Sequence, residues 1–453
     1  MTTAVAAPPP AKRRWKLRAL IGVSLLLAAG MIAAIRWAGS VEREMAAIAA
    51  ELDASDPGWR LAEIEAARKP VADADNAALK IMAIVKRMNG PILSMDWEKG
   101  YPKPFPPQVQ LSPTQIVALD SDIARFGTAC VDARVLANMP TGRFPIQFGE
   151  TFHALESHVR DSANLVHVIK LDVTRLAQQG KPEEALVSCQ AMLNCARAIG
   201  DENFLISRLV RAGCQSNTVQ ALERVLAQGE VADALLKAMQ QALVDEASAT
   251  LAVNFMRTER AMWFAQAESV LVSRTMIEKV VHRQSLKGMD AFLYDWAPTR
   301  LLRQYPGQLR AYTEFVEAGK LPSHERQAKI ATILTAIKSS NPSAHGGFQI
   351  VMQPEIECMG CQARLHCTIA ALACERFRLT HQRWPATLDA MVQAKLLATA
   401  PTDPLDNTPL RLVLASDGLQ VHSSGPEQFR LWNVPARRQP PLPVPPANAK
   451  VKN

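Results

Sequence analysis

Of 453 residues only 21 are glycine and four are tyrosine, and aromatic residues make up 6%. Glycine this sparse, without a repeat, excludes a collagen-like chain. An apolar fraction of 48% excludes disorder throughout. There is no G-x-S-x-G, no P-loop and no dinucleotide fingerprint, so neither a nucleophile elbow nor a familiar phosphate cradle is signalled. Acidic residues are missing from both ends: residues 1–40 hold six Lys/Arg and residues 435–453 hold four. Setting those ten aside leaves 41 basic against 43 acidic residues, so the formal charge of +8 belongs to the ends and is no argument for a nucleic-acid partner.

What is present first is an uncharged run, Ala19–Ile35, flanked by Trp15 and Trp37 and preceded by Lys12, Arg13, Arg14, Lys16 and Arg18. Apolar length, flanking indoles and one-sided positive charge together predict an uncleaved transmembrane anchor in contact with the lipid bilayer. A cleavable signal peptide is the alternative. The positive-inside rule then implies a single-pass protein of a bacterial inner membrane, with its N-terminus cytoplasmic and its ectodomain periplasmic.

The expected fold class is mainly α: the anchor, a helical-hairpin ectodomain, and a small C-terminal α+β module. Expected boundaries are 1–40 for tail and anchor, 41–88 for a juxtamembrane helical segment, and 89–113 for a Pro-rich connector containing YPKPFPP. A helical domain follows over 114–340, then the α+β module over 354–434 and a disordered basic, Pro-rich tail over 435–453. The clearest pattern lies between about 150 and 250. One helix stops at Gly180-Lys181-Pro182, the next carries Ala185, Cys189, Met192, Ala196 and Ile199, and a third carries Leu205, Leu209, Ala212, Val219, Leu222 and Leu226 before Gly229. Short connections require neighbouring helices to pack antiparallel. Near the C-terminus, Leu410–Ala415 and Leu419–Ser423 read as a two-stranded hairpin turning at Ser416-Asp417-Gly418.

Residues 369–427 resemble the globular end of type II secretion major pseudopilins. Carrying this are Ala371-Leu372-Ala373-Cys374-Glu375-Arg376-Phe377-Arg378, Arg383-Trp384-Pro385, Asp403-Pro404-Leu405, Asn407, Pro409-Leu410 and Ser424-Gly425-Pro426-Glu427. That resemblance implies a long helix, a W-P loop, a D-P turn and a terminal strand pair; the family's processing site is missing. The chain from 41 to 430 also resembles uncharacterised single-pass membrane proteins of planctomycete bacteria. Asp56-Pro57-Gly58-Trp59-Arg60-Leu61, Asn76-Ala77-Ala78, Gly200-Asp201-Glu202 and Ala221-Leu222-Glu223-Arg224-Val225-Leu226 carry this second likeness, which implies no activity.

Candidate chemistry is scattered. Cys358-Met-Gly-Cys361 with His366, Cys367 and Cys374 has the residue types of a zinc site, but on one helix the two pairs face opposite ways, so no metal or cofactor is expected. A Cys358–Cys361 disulfide is an alternative to buried thiols. His153, His158 and His167 share a helix, yet none stands i, i+4 to another. Arg257, Glu259 and Arg260 interrupt an apolar helix as a solvated stripe or as a buried polar cluster. Asp403, Asp406 and Asn407 could bind calcium, with turn capping as the default. No residue is assigned as catalytic. The function expected from these readings is a membrane-anchored envelope scaffold with protein partners on its helix-hairpin grooves. The alternatives are an envelope hydrolase or other enzyme, with Arg257, Glu259 and a histidine in one cleft, and an accessory of a secretion system.

Overall fold

The computed structural model describes residues 14–88, 96–99, 101–146, 152–200, 202, 204–248, 251–272 and 304–443. This described part is mainly α-helical, with one small three-stranded antiparallel sheet near its C-terminal end. In chain order the helices are α1 (Arg14–Ser55), α2 (Leu61–Ala66), α3 (Ala77–Val85), α4 (Pro113–Ala124), α5 (Ala129–Asp132), α6 (Phe152–Gln178) and α7 (Pro182–Ala198). They continue with α8 (Leu205–Gln228), α9 (Asp233–Ala247), α10 (Leu251–Val272), α11 (Tyr305–Gly319), α12 (Ser323–Ser340), α13 (Pro342–His381) and α14 (Leu388–Gln393). Two compact units are distinguished: residues 1–60 with 260–313, and residues 61–259 with 314–453.

In the first unit, Val41, Met45, Ile48, Ala49 and Leu52 form a buried stripe on α1 at the spacing of one helical face. Trp59, Phe264, Ala267 and Leu309 complete this core. The turn Asp56-Pro57-Gly58 closes with Gly58 at φ +76°, which a side chain would strain. It delivers Trp59 into the core, where its indole N–H donates to Asp53 Oδ1 at 2.9 Å and its ring meets Phe264 edge-on at 4.7 Å.

The expected anchor is corrected here. Ala19–Ile35 lies within α1, and among the described residues no helix is long and apolar enough to cross a membrane. Seventeen uncharged residues rise about 25 Å, short of a hydrocarbon core of about 30 Å. The helix then runs without a break into Glu42, Arg43 and Glu44. The side chains of residues 26–40 lie outside the description. The transmembrane span, the bilayer contact, the inner-membrane location with a periplasmic ectodomain, and the membrane-anchored envelope scaffold are all withdrawn with it.

In the second unit, α6, α7 and α8 pack against one another. Gly180, at φ +75°, ends α6, and the Lys181 N–H returns to the Leu176 carbonyl at 2.9 Å, satisfying a helix-end acceptor. Pro182 then opens α7 with Glu183 and Glu184 in its first turn, where acidic charge suits the helix dipole. Small side chains (Ala185, Ser188, Cys189, Ala191, Cys195, Ala196) let α7 be buried on nearly all sides. Helix α13 packs against α8, α9 and α12, and the sheet covers part of α8 and α13.

The sheet has order β1 (Arg411–Ala415), β2 (Gly418–His422), β3 (Gln428–Trp432), all antiparallel. Ala415 pairs with Gly418 around Ser416-Asp417, and a Cβ on Gly418 would lie 1.9 Å from the Leu431 carbonyl oxygen. The expected hairpin is therefore extended by a third strand. Leu419, Val421, Phe429 and Leu431 supply its buried face, which two strands alone would leave half covered.

Beyond β3 the chain is held rather than loose at the head of the expected disordered tail. Arg437 donates to Trp432 O, Gly229 O and Glu375 Oε1. Arg438 reaches the carbonyl oxygens that end α6 and α8, at Ala177, Gln178 and Gln228. Gln439 bridges to the connector, its N–H on Gln108 O at 2.8 Å and its carbonyl accepting from Gln110 N at 2.9 Å. Residues 444–453 lie outside the description.

Candidate functional site

The cysteines singled out in the sequence are packing groups. Cys358, Cys367 and Cys374 are buried on α13 and Cys361 is half-buried, all as free thiols, so the Cys358–Cys361 disulfide is not formed. Burial pushes the Cys358 and Cys367 thiols up to about 12, far from a reactive thiolate. His366 turns away to the Thr402 carbonyl at 2.9 Å. Among the described residues no three His, Cys, Asp or Glu side chains gather as metal ligands. In the 403–407 turn, Asp403 accepts N–H bonds from Leu405 and Ser424, and Asp406 accepts from the Thr408 N–H at 2.9 Å. These carboxylates cap the turn.

His158 and His167 do not converge. His158 is buried with Nε2 2.5 Å from Glu202 Oε2, His167 is exposed, and the His153 side chain lies outside the description. Ser207 Oγ also donates to Glu202 Oε2, at 3.4 Å. Serine and histidine thus both address the carboxylate, and the hydroxyl-to-imidazole contact that activates a nucleophile is not made. Glu259 accepts the first N–H of α8, from Leu205, at 2.9 Å, and burial pushes its carboxyl up to about 7. Arg260 is buried in the first unit against Asp56, with its guanidinium 5.3 Å from the Trp59 ring. Arg257 is half-buried. The solvated-stripe reading is thereby corrected for Glu259 and Arg260, whose helix is buried at those positions.

In three ionic constellations a single carboxylate is shared by two guanidiniums. Glu246 is gripped by Arg211 at 2.8 and 3.0 Å and by Arg197 at 3.1 Å; Glu355 by Arg208 at 2.8 Å and Arg326 at 2.9 Å. Asp172 holds Arg134, Arg175 and Ser188. The cavity beside Arg208, Arg211 and Glu246 is about 30 Å³, room for about two water molecules. A larger groove of about 460 Å³ runs along Leu186, Val187, Leu235 and Met239; of its polar lining, Gln190 is tied to Asn194, Arg197 to Glu246 and Gln241 to Asp245.

A different arrangement lies where the connector crosses α6 and α8. Trp97, Glu98, Lys103, Phe105 and Pro107 form one wall of a cavity of about 290 Å³; Lys170 and Thr174 of α6, and Gln220, Glu223 and Arg224 of α8, form the other. The connector is built as a clasp. Trp97 meets Phe105 edge-on at 5.7 Å, Tyr101 meets Phe105 at 5.8 Å, and the Gln228 amide donates to Pro107 O at 2.8 Å. Leu111 N–H is tied to Gln178 at 2.9 Å. Within the cavity wall the Lys170 ammonium donates to Asn217 at 3.1 Å and to Gln220 at 3.0 Å, and burial pulls it below the ordinary lysine range. Arg224 is buried with its guanidinium 5.6 Å from the Phe105 ring. None of its three nitrogens has a hydrogen-bond partner among the described residues. Burial draws its pKa down to about 10, against the opposing charge of Glu98.

Sequence reasoning passed over these residues. Lys170 stands between Ile169 and Leu171 and reads as the polar edge of a helix. Arg224, within Glu223-Arg224-Val225-Leu226, reads as a helix-surface charge. The one available signal is the aromatic and basic content of the connector, Tyr101-Pro-Lys103-Pro-Phe105, which is unusual for a plain spacer. Comparison with protein-family models, with curated proteins and with solved structures finds no match for the chain. The pseudopilin and planctomycete resemblances, the secretion-accessory reading and the expectation of protein partners are therefore set aside, and with no catalytic constellation among the candidates above, so is the envelope hydrolase.

Proposed function

We propose that this protein binds a small molecule in the cavity between its connector and the α6–α8 face. The observation that carries this reading is the combination of a preformed cavity of about 290 Å³, an aromatic wall, and a few inward polar groups. That is the ordinary make-up of a ligand pocket, at the small end of its size range. The 460 Å³ groove is larger, but Gln190, Arg197, Gln241 and Asp245 in its wall already have protein partners, and the polar cavity at Arg211 is too small for an organic molecule.

The test is a screen of neutral and charged fragments by ligand-observed NMR on the full chain, repeated on Gln220→Trp, which places an indole at the cavity wall. Fragments that bind the parent and lose binding in Gln220→Trp support the reading. Fragments that bind both proteins equally, or no binding at all, defeat it.

A further inference from the structure

Arg224 is 6% exposed. Other buried arginines of the same unit meet carboxylates: Arg211 meets Glu246, Arg326 meets Glu355, Arg376 meets Asp233, and Arg437 meets Glu375. Arg224 meets none within hydrogen-bond distance among the described residues. A buried guanidinium left with unsatisfied N–H groups is costly to the fold, and such costs collect at binding sites. Its surroundings are net positive. Lys170 and Lys103 share its cavity, and Arg438 adds a further positive field. Two carboxyls are in the same lining. Glu98 acts on Arg224 and Lys170 through its charge alone, and Glu223 turns to the Arg430 N–H at 3.1 Å.

We propose that this cavity takes its ligand through an oxyanion, a carboxylate or phosphate group seated on Arg224 and Lys170, with the ligand's apolar body against Trp97 and Phe105. The inference rests on the cavity being the binding site. A planar guanidinium presents two parallel N–H groups that match the two oxygens of a carboxylate or phosphate. Lys170 has three ammonium hydrogens, of which Asn217 and Gln220 take two, leaving one for the ligand. Because Arg224 is itself buried, charge-assisted bonds to its guanidinium are worth more than they would be on the surface. Phe105 already packs beneath Arg224, so the guanidinium is held in place before the ligand arrives, which lowers the ordering cost of binding.

The experiment titrates the full chain by calorimetry and thermal unfolding, at an ionic strength fixed with chloride. The probes are benzoate, phenyl phosphate, inorganic phosphate and neutral benzamide. Benzoate or phenyl phosphate is expected to bind saturably and to raise Tm, with benzamide at least about tenfold weaker, the loss of one charge-assisted hydrogen bond. Arg224→Met should abolish the anion response. Arg224→Lys and Lys170→Met should each weaken it by about tenfold, and serve if Arg224→Met does not fold. If benzamide binds as tightly as benzoate and Gln220→Trp blocks both, the cavity is a site but the oxyanion inference is wrong. If the anions shift the parent and the Arg224 variants alike, they bind elsewhere and the inference is again wrong. If no probe and no screened fragment binds, both readings fall together.

Discussion

Arg437 donates from Nη2 to Glu375 Oε1 at 2.8 Å, tying a residue that follows the last strand to the buried C-terminal part of α13. Glu375 also accepts two bonds from Arg378, at 2.8 and 2.9 Å, so one fully buried carboxylate is shared by two guanidiniums from separate segments. Glu375→Ala would leave both cations buried. We expect it to cost about 3–5 kcal/mol, the usual result of breaking a buried pair. Urea unfolding of the full chain checks this, and a cost below about 1 kcal/mol would contradict the central role given to Glu375.

Acid should weaken the second unit. Burial alone pushes Glu246 and Glu375 up, but Arg211 with Arg197, and Arg378 with Arg437, reverse this and hold both carboxyls below the ordinary 4.5. Just below that value the unfolded chain has taken up protons that the folded chain still refuses, so folding stability falls as pH drops. The stabilisation is fully present above 4.5 and is lost as pH passes down through the folded values. Unfolding midpoints measured from about pH 7 to about pH 3 should decline, and Glu246→Gln should flatten part of that decline.

Glu259 behaves oppositely. Its carboxyl is raised by burial to about 7, so between 4.5 and about 7 the folded chain binds the extra proton and stability falls as pH rises. Glu259→Gln keeps an acceptor for the Leu205 N–H without a buried charge. It should gain about 2–3 kcal/mol over the parent at about pH 8 and little at about pH 4. Equal effects at both pH values would show that Glu259 is not buried as described.

Arg438 caps the ends of α6 and α8 and lies against the Gln110 side chain, so removing its side chain should loosen the connector there. Arg438→Ala frees carbonyl oxygens at the ends of α6 and α8 and loosens Gln439 from Gln108 and Gln110. Hydrogen exchange at the Gln110 amide should accelerate by about tenfold or more, while amides within α7 stay protected. Unchanged exchange over 105–111 would mean that the connector is held by its own aromatic contacts.

The helical hairpins were the most legible part of the sequence because periodicity and stop signals agree there. Leu222, Val225 and Leu226 keep the helical interval, and Gly180 and Gly229 mark ends that the folded chain uses. The anchor misled because Ala19–Ile35 has the composition of a span while falling short in length. Strand β3 was missed because Gln428–Trp432 carries Arg430 at its centre, and only the pairing with β2 gives that charge an outward position. The candidate site was legible only in the aromatic and basic residues of the connector. Arg224 and Lys170 acquire their character from being roofed by Phe105 and Trp97, residues about 65 to 127 positions earlier, and no local pattern encodes that meeting.

The strap formed by Arg437, Arg438 and Gln439 also sets an order of events during synthesis. Arg438 bonds to Ala177 across 261 positions of chain. A growing polypeptide whose α6 and α8 have already left the ribosome therefore still lacks the piece that fastens the connector over them. The helices can pair early, since their contacts are local, whereas a contact this distant waits for the C-terminal segment and carries the loop-closure cost of the whole interval. Until then the connector is held over the helices by its own ties, Gln228 to Pro107 and Leu111 to Gln178, and by its aromatic contacts. A product truncated before Arg437 would keep the helical body while lacking the bonds from Gln439 to Gln108 and Gln110.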